Sequence, residues 1–319
     1  MPIDLHVGAP LSAPLSDQIA FFKRAEVLGF DGVGIADDPR FGGDAFVTLA
    51  AAARETERIW LYPAATNPMT RHPFVLAGLA GALTALAPGR VKLAIGTGDS
   101  GVVFTGAKPA KLAELRDAVD AIRKLLRGEA ASVGDSPTQT MPQASDPPAK
   151  IVVAASGPKT LEMAGATADE ALVTAGVDPS AVQAADDRVA AGAARAGREA
   201  GTVPVTHYVI VSIDDDHDTA VERTRHWLFM WLQQGMFDLC LQALGMERPN
   251  LSSPEELGKP MLEELAGRFF IAGTPKEVSA RAERLSDDGI QSMFCMLPGG
   301  PKRHWEHLDL VARHIMTAV

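Results

Sequence analysis

The sequence predicts a (β/α)8 barrel with insertions. Eight short runs rich in β-branched residues recur along the chain, and segments of helical period separate them. Parallel neighbours need crossover connections, usually helices, so this alternation implies a parallel sheet closed on itself, with an open doubly wound sheet as the competing architecture. The 319 residues, 46% of them hydrophobic, supply a large core in the size range that an α/β barrel fills as one domain.

The expected strands are 3–8, 32–37, 58–66, 91–96, 150–155, 170–175, 205–212 and 290–297. In the first helix Ile19, Phe22, Ala25 and Leu28 form the apolar stripe, with Ser16 as N-cap and Gly29 as the stop. In 112–127, Leu112, Leu115, Val119, Ile122 and Leu125 recur at steps of three or four, and Gly128 ends the helix. Three segments interrupt the alternation: a Gly-rich loop at 97–109, a Pro/Ser-rich surface loop at 128–149 and a mostly helical insertion at 214–272. Trp227, Met230, Trp231 and Met236 mark an apolar face of that insertion, expected to serve as core or subunit interface. No repeat or linker divides the chain, so a single domain over 1–319 is expected.

Composition excludes several functions. Thirty Lys and Arg against forty Asp and Glu give a net charge of −10, unsuited to gripping nucleic-acid phosphates. Cys240 and Cys295 are too few for a disulfide framework or a cysteine-rich metal site. The opening residues lack a secretion-signal pattern, and no apolar run is long enough to span a membrane. The expectation is a soluble cytoplasmic enzyme acting on a small molecule.

Several motifs carry possible chemistry. Residues 96–101, GTGDSG, satisfy the dinucleotide pattern G-x-G-x-x-G after a strand, but no convincing helix opens on the glycines before about Lys108. An NAD(P) dehydrogenase is therefore a remote alternative. The GDSG within it matches a serine-protease segment by coincidence, since the chain lacks that fold. ASGPKT (155–160) lies between a strand and a helix. Pro158 suits the first helical turn, and the N–H groups of Gly157 and Lys159, the Ser156 hydroxyl and the Lys159 charge would seat a phosphate. PAATNPMTRHP (63–73) reads as an irregular strand end able to line a pocket, with His72 fixing the loop before Pro73. Asp37, Asp38 and Asp99 follow the second and fourth strands, whose C-terminal ends converge on one barrel mouth, so they are candidate acids or substrate anchors. His304, His307 and His314 read as a solvated or partner-facing helix surface, His6 and His207 as core histidines, and no metal site is expected.

Four blocks, in order, resemble the bacterial-luciferase-like superfamily of flavin- and deazaflavin-dependent oxidoreductases, and within it the coenzyme F420-dependent, methylene-tetrahydromethanopterin reductase-like branch. They are LGFDGVGIADD (28–38), PAATNPMTRHP (63–73), LAIGTGDS (93–100) and VAASGPKTLEMAGATADEALVTAGVDP (153–179). The resemblance covers nearly all of 1–213 and 271–319. It implies a cis peptide at Ala64–Ala65 in a bulge behind the cofactor ring, with Thr66, Asn67, Gly96, Thr97 and Gly98 near the ring. It also implies Ser156, Gly157, Pro158 and Lys159 on the phosphate, followed by Gly176 and Val177 on the next strand. The implied activity is hydride transfer between F420 and an unidentified small organic substrate. The same-fold alternative is a monooxygenase using reduced FMN and oxygen. Several family members carry His where this chain has Asp38, so the acid/base role does not transfer with the resemblance; ADEAL (168–172) in place of a commoner ADG is a local variation. A homodimer or higher homo-oligomer is expected.

Overall fold

The computed structural model of the chain describes residues 3–41, 43–98, 100–142, 146–199 and 201–319. Among these residues nine strands form: β1 (Asp4–Gly8), β2 (Gly32–Ile35), β3 (Trp60–Pro63), β4 (Lys92–Ile95), β5 (Lys150–Ala155), β6 (Glu170–Val173), β7 (Val205–Ile213), β8 (Ile271–Gly273) and β9 (Ser292–Met296). Eight run in parallel in the order β3-β2-β1-β9-β7-β6-β5-β4. Bridges Leu61↔Val91 and Thr66↔Ile95 join the two ends, so the sheet closes into the expected (β/α)8 barrel. Because helices cover its outside, strand residues are buried on both faces and read as near-continuous apolar runs.

All eight expected strands are present. The ninth, β8, has three residues, too short to show a period, and pairs with Val211–Ile213 of β7. It receives the chain as it returns from the helical insertion. Within the insertion Trp231 is buried and packs on Phe237, Phe270 and Tyr208. This part of the Met/Trp face is therefore internal core.

The barrel interior is layered. At its base the Lys92 ammonium lies 2.7 Å from the Glu170 carboxylate, and Thr206 donates to Glu170 at 2.8 Å. Above it Tyr62, Val152, Leu172 and Phe294 form an apolar layer. Two glycines make room for these side chains. A Cβ at Gly32 would stand 2.2 Å from His6 Nδ1, and one at Gly34 would stand 2.7 Å from both Phe294 Cε2 and Ala64 Cβ. Toward the mouth the side chains shrink to Ala36, Ala64 and Ala154, with glycines at 8 and 96.

Several local expectations are corrected. Ser16 lies inside the first helix, Leu15–Leu28, which starts after Pro14 without a side-chain cap. Its buried positions are Gln18, Phe21, Phe22 and Ala25, because Gln18 finds partners in the carbonyls of Leu11 and Ala13 at 3.0 and 2.9 Å. His304 and His307 are buried and not solvated, and His307 Nε2 lies 3.0 Å from the Ile213 carbonyl. A one-turn helix, Ser100–Val103, follows the 96–101 glycines, while the long helix starts only at Leu112. By contrast Gly29 (φ 100°) and Gly128 (φ 73°) end their helices as expected. Among the described residues no helix is long and apolar enough to cross a membrane.

Candidate active site at the barrel mouth

The C-terminal ends of β2 to β6 build one side of the mouth. Beyond Pro63 the chain passes from β2 to β4: Ala64 N–H still donates to the Ile35 carbonyl at 2.8 Å, and Thr66 N–H donates across to Ala94 at 2.9 Å. The Ala64–Ala65 peptide between them is cis, as the resemblance implied. Ala64 and Ala65 contribute small side chains here, and Ala65, Ala36 and Ala154 are half-buried.

Thr66 and Asn67 are buried, with exposures of 1% and 3%. The Thr66 hydroxyl donates to Asp37 Oδ2 at 2.7 Å. Asn67 Oδ1 accepts from the N–H groups of Met69 and Thr70 and from the Thr70 hydroxyl, at 3.0, 2.8 and 3.1 Å. Such an Asx turn is what short polar residues after a strand favour. The Asn67 NH2 donates to none of the described residues. His72 Nδ1 accepts from Phe74 N–H at 3.2 Å and caps the helix Pro73–Leu86, the structural role expected of it.

Asp37 is saturated. Arg71 donates through Nε to Oδ2 at 2.7 Å and through Nη2 to Oδ1 at 2.9 Å. The same Nη2 reaches Asp44 Oδ2 at 2.8 Å, and the guanidinium carbon lies 5.1 Å from the Phe46 ring centroid. The other Asp44 oxygen caps the helix Ala45–Glu55. Burial raises the Asp44 pKa, but the Arg71 hydrogen bond and the cap outweigh it and hold the carboxyl below its usual range. Arg71 lies within the 63–73 block, but nothing in that block names its partners, and Asp44 lies in no block. Arg71 finds its partners 34 and 27 positions away, which only the fold brings together.

Asp38 stands at the lip, in a bidentate pair with Arg40 whose closest contact is 2.5 Å. Loops two and four touch here: a Cβ at Gly101 would lie 3.4 Å from the Asp37 carbonyl oxygen and 3.6 Å from Asp38 Cγ. Asp99 lies outside the described residues. Beside it, Gly98 turns at φ +85°, and a Cβ there would stand 2.3 Å from Val102 and 3.1 Å from Asn67 Cβ, so only glycine fits. Gly96 N–H donates to the Thr66 carbonyl at 2.9 Å, and the Thr97 carbonyl accepts from Ala110 at 2.7 Å. The third-strand bulge and the fourth-strand turn thus form one surface.

On β5 the helix Pro158–Thr167 begins at Gly157 without a side-chain cap. Among the described residues nothing accepts from the N–H groups of Ser156, Gly157 or Lys159, and a Cβ at Gly157 would meet open space. Unpaired N–H groups at a helix N-terminus, next to a lysine, suit an anion. The next strand end lies alongside, since Thr174 N–H donates to the Ala155 carbonyl at 3.1 Å. Gly176 (φ +77°) presses against Phe269, and Val177 N–H donates to the Arg268 carbonyl at 3.0 Å. Val177 N–H is therefore tied to the insertion rather than turned to a ligand.

A parallel barrel whose mouth has a floor of small residues and an uncapped helix start belongs among the barrel enzymes that hold a flat, phosphate-bearing ligand. Residues 2–292 match the luciferase-like monooxygenase family. The chain is 29% identical over 324 residues to the 5,10-methylenetetrahydromethanopterin reductase of Methanolobus tindarius, covering 96% of this chain and 97% of that one. It is 30% identical over 332 residues to the F420-dependent glucose-6-phosphate dehydrogenase of Microbacterium testaceum, covering 94% and 93%. The structure of the coenzyme F420-dependent tetrahydromethanopterin reductase from Methanopyrus kandleri superposes with a TM-score of 0.77 at 25% identity, covering 99% of both chains. The chain belongs to the luciferase-like monooxygenase family. It is an oxidoreductase.

Proposed function

We propose that this oxidoreductase uses coenzyme F420 and transfers a hydride between the deazaflavin and a small organic substrate at the barrel mouth. The observation that carries the proposal is the pairing of a floor of small side chains (Ala36, Ala64, Ala65, Ala154) with unpaired N–H groups at Ser156, Gly157 and Lys159. The F420-dependent relatives support the choice of cofactor. When bound, F420 supplies a two-electron hydride centre. The chain's residues then have separable tasks. Ala64, Ala65, Gly96, Thr97 and Gly98 shape the floor, and Asn67 offers its free NH2 beside it. Ser156, Gly157, Pro158 and Lys159 hold the phosphate, with Gly176 and Val177 fixing the adjoining turn. Asp38, kept in place by Arg40, orients the substrate. Asp99 remains a candidate proton donor on its position in the sequence.

The second candidate is a monooxygenase using reduced FMN and oxygen, favoured by the family's own description and by an anion seat that fits either cofactor's phosphate. The test is a paired titration of cofactor-free protein with F420 and FMN, oxidised and reduced, read by fluorescence and thermal shift. Saturable binding of F420 alone supports hydride transfer. Tight FMN binding with oxygen uptake on reduction replaces it with the monooxygenase.

The chain is further proposed to self-associate. The helix Pro73–Leu86 is apolar around its whole circumference, with Val75 51% and Leu86 41% exposed, and Val47 on the preceding helix is 56% exposed.

A further inference from the structure

We infer that Asp37 is a positioning residue: with Arg71, Asp44 and the Thr66 hydroxyl it forms a clamp that sets the third-strand bulge, and through it the seating of the cofactor ring. The inference rests on the F420 proposal and goes beyond it by giving one of the three mouth aspartates a definite task.

A proton donor in hydride transfer needs an oxygen that can reach the substrate and carry a proton. Both Asp37 oxygens are already engaged inside the protein: Oδ2 accepts from Thr66 and Arg71 at 2.7 Å each, and Oδ1 accepts from Arg71 at 2.9 Å. Its side chain is 7% exposed, and Arg71 covers both of its oxygens. The clamp also has a direction. Arg71 is tied to the N-cap carboxylate of the helix Ala45–Glu55 and rests on Phe46, so one end is anchored in the helical shell. The other end is the Thr66 hydroxyl, directly after the Ala64–Ala65 segment. Thr66 also bridges the barrel seam, accepting from Gly96 N–H at 2.9 Å and donating to Ala94 at 2.9 Å. A shift of Thr66 therefore moves both the bulge and the Gly96–Gly98 turn, the two surfaces proposed to face the ring. Thr66 commits its hydroxyl to Asp37 and acts through the backbone it holds.

Thr66→Val keeps the shape and deletes the hydroxyl while leaving Asp37 paired with Arg71, so folding is preserved. Thr66→Ser restores the hydroxyl, and Asp37→Asn removes the charge. F420 affinity is measured by fluorescence quenching, the ring environment by induced circular dichroism of the bound chromophore, and stability by thermal unfolding without cofactor. Thr66→Val is expected to unfold within about 4 °C of the parent, to bind F420 about tenfold more weakly and to show an altered dichroism band. Thr66→Ser is expected to recover affinity and band, and Asp37→Asn to change both in the same sense as Thr66→Val. If the parent binds F420 and both Thr66→Val and Asp37→Asn keep its affinity and band, the clamp is overturned while the function stands. A parent that fails to bind F420 overturns the function and, with it, the purpose assigned to the clamp.

Discussion

Replacing Lys92 by Met tests whether the barrel base is as dry as its geometry indicates. The Lys92 and Glu170 side chains are 6% and 9% exposed, with nitrogen and oxygen 2.7 Å apart. Burial lowers the Lys92 pKa, and attraction to Glu170 opposes the shift. The ammonium also lies 5.3 Å from the Trp60 ring and 5.7 Å from the Tyr62 ring. Methionine fills most of the volume, so packing changes little and the loss is electrostatic. Glu170 keeps only the Thr206 hydroxyl, at 2.8 Å. Stranding one member of a buried pair costs about 3–5 kcal/mol, a large share of the roughly 5–15 kcal/mol that holds a domain. With a urea dependence of about 3 kcal/mol/M, the midpoint should fall by roughly 1 to 1.7 M. The assay is equilibrium urea unfolding followed by tryptophan fluorescence. Adding Glu170→Gln removes the orphaned charge and keeps an acceptor for Thr206, so the double variant should recover to within about 1 kcal/mol of the parent. A double variant as unstable as Lys92→Met would place the cost in the lost aromatic contacts. A cost below about 1 kcal/mol for Lys92→Met would mean that water reaches the base.

Further expectations concern pH, assembly and the site. Burial lowers the pKa values of His6, His304 and His307, with Lys92 reinforcing the shift at His6. The unfolded chain takes up protons as pH falls through about 6.5 while the fold resists them. Stability should therefore be full above that pH and decline below it, by up to about 1.4 kcal/mol per unit for each histidine. His307→Asn should flatten the slope of unfolding free energy against pH by about one proton, and an unchanged slope would remove His307 from the effect. Val75→Glu combined with Val47→Glu should convert an oligomer to monomer in sedimentation velocity, whereas a parent that is already monomeric would refute the proposed face. Gly98→Ala forces a Cβ to within 2.3 Å of Val102 at a positive φ, so it should weaken F420 binding more than Gly106→Ala, where φ is also positive but the space is open. Asp99→Asn should lower turnover more than cofactor affinity, and equal turnover would exclude it from the chemistry.

Elements whose information is local were legible. The strands are apolar runs bounded by turn residues, and the helix stops at Gly29 and Gly128 need a left-handed residue that glycine supplies. The start of the helix after β5 follows from Pro158 at its first turn. What composition and period could not give depends on distant partners. Gln18 looks like a surface residue until Leu11, Ala13 and Thr48 surround it. His307 looks solvated until the Ile213 carbonyl, 94 positions away, is placed beside it. The three-residue β8 exists only because β7 runs long enough to pair with it. The same division cuts through the site. The glycine turn and the phosphate-seat segment are contiguous motifs, whereas Arg71 gains its role only when the fold sets it against Asp37, 34 positions away, so three candidate aspartates looked alike.

The two sides of the barrel are accordingly built by different means. The β3-to-β6 side presents mainly backbone: a bulge held from behind by Thr66, Asp37 and Arg71, a glycine turn and an uncapped helix start. A cofactor held that way is recognised by its shape and its phosphate, features common to a whole class of cofactors. On the other side of the barrel β7, β9 and the insertion meet through side chains. Tyr208 stacks on Phe294 at 4.9 Å and meets Trp231 edge-on at 5.6 Å, and Trp227 continues the aromatic row. Trp227, half-buried at the outer end of that row, touches Trp231 and takes part in none of the barrel's backbone hydrogen bonds. Trp227→Ala should therefore leave F420 affinity within about twofold of the parent. A larger loss of F420 affinity would mean that the aromatic row reaches the ring.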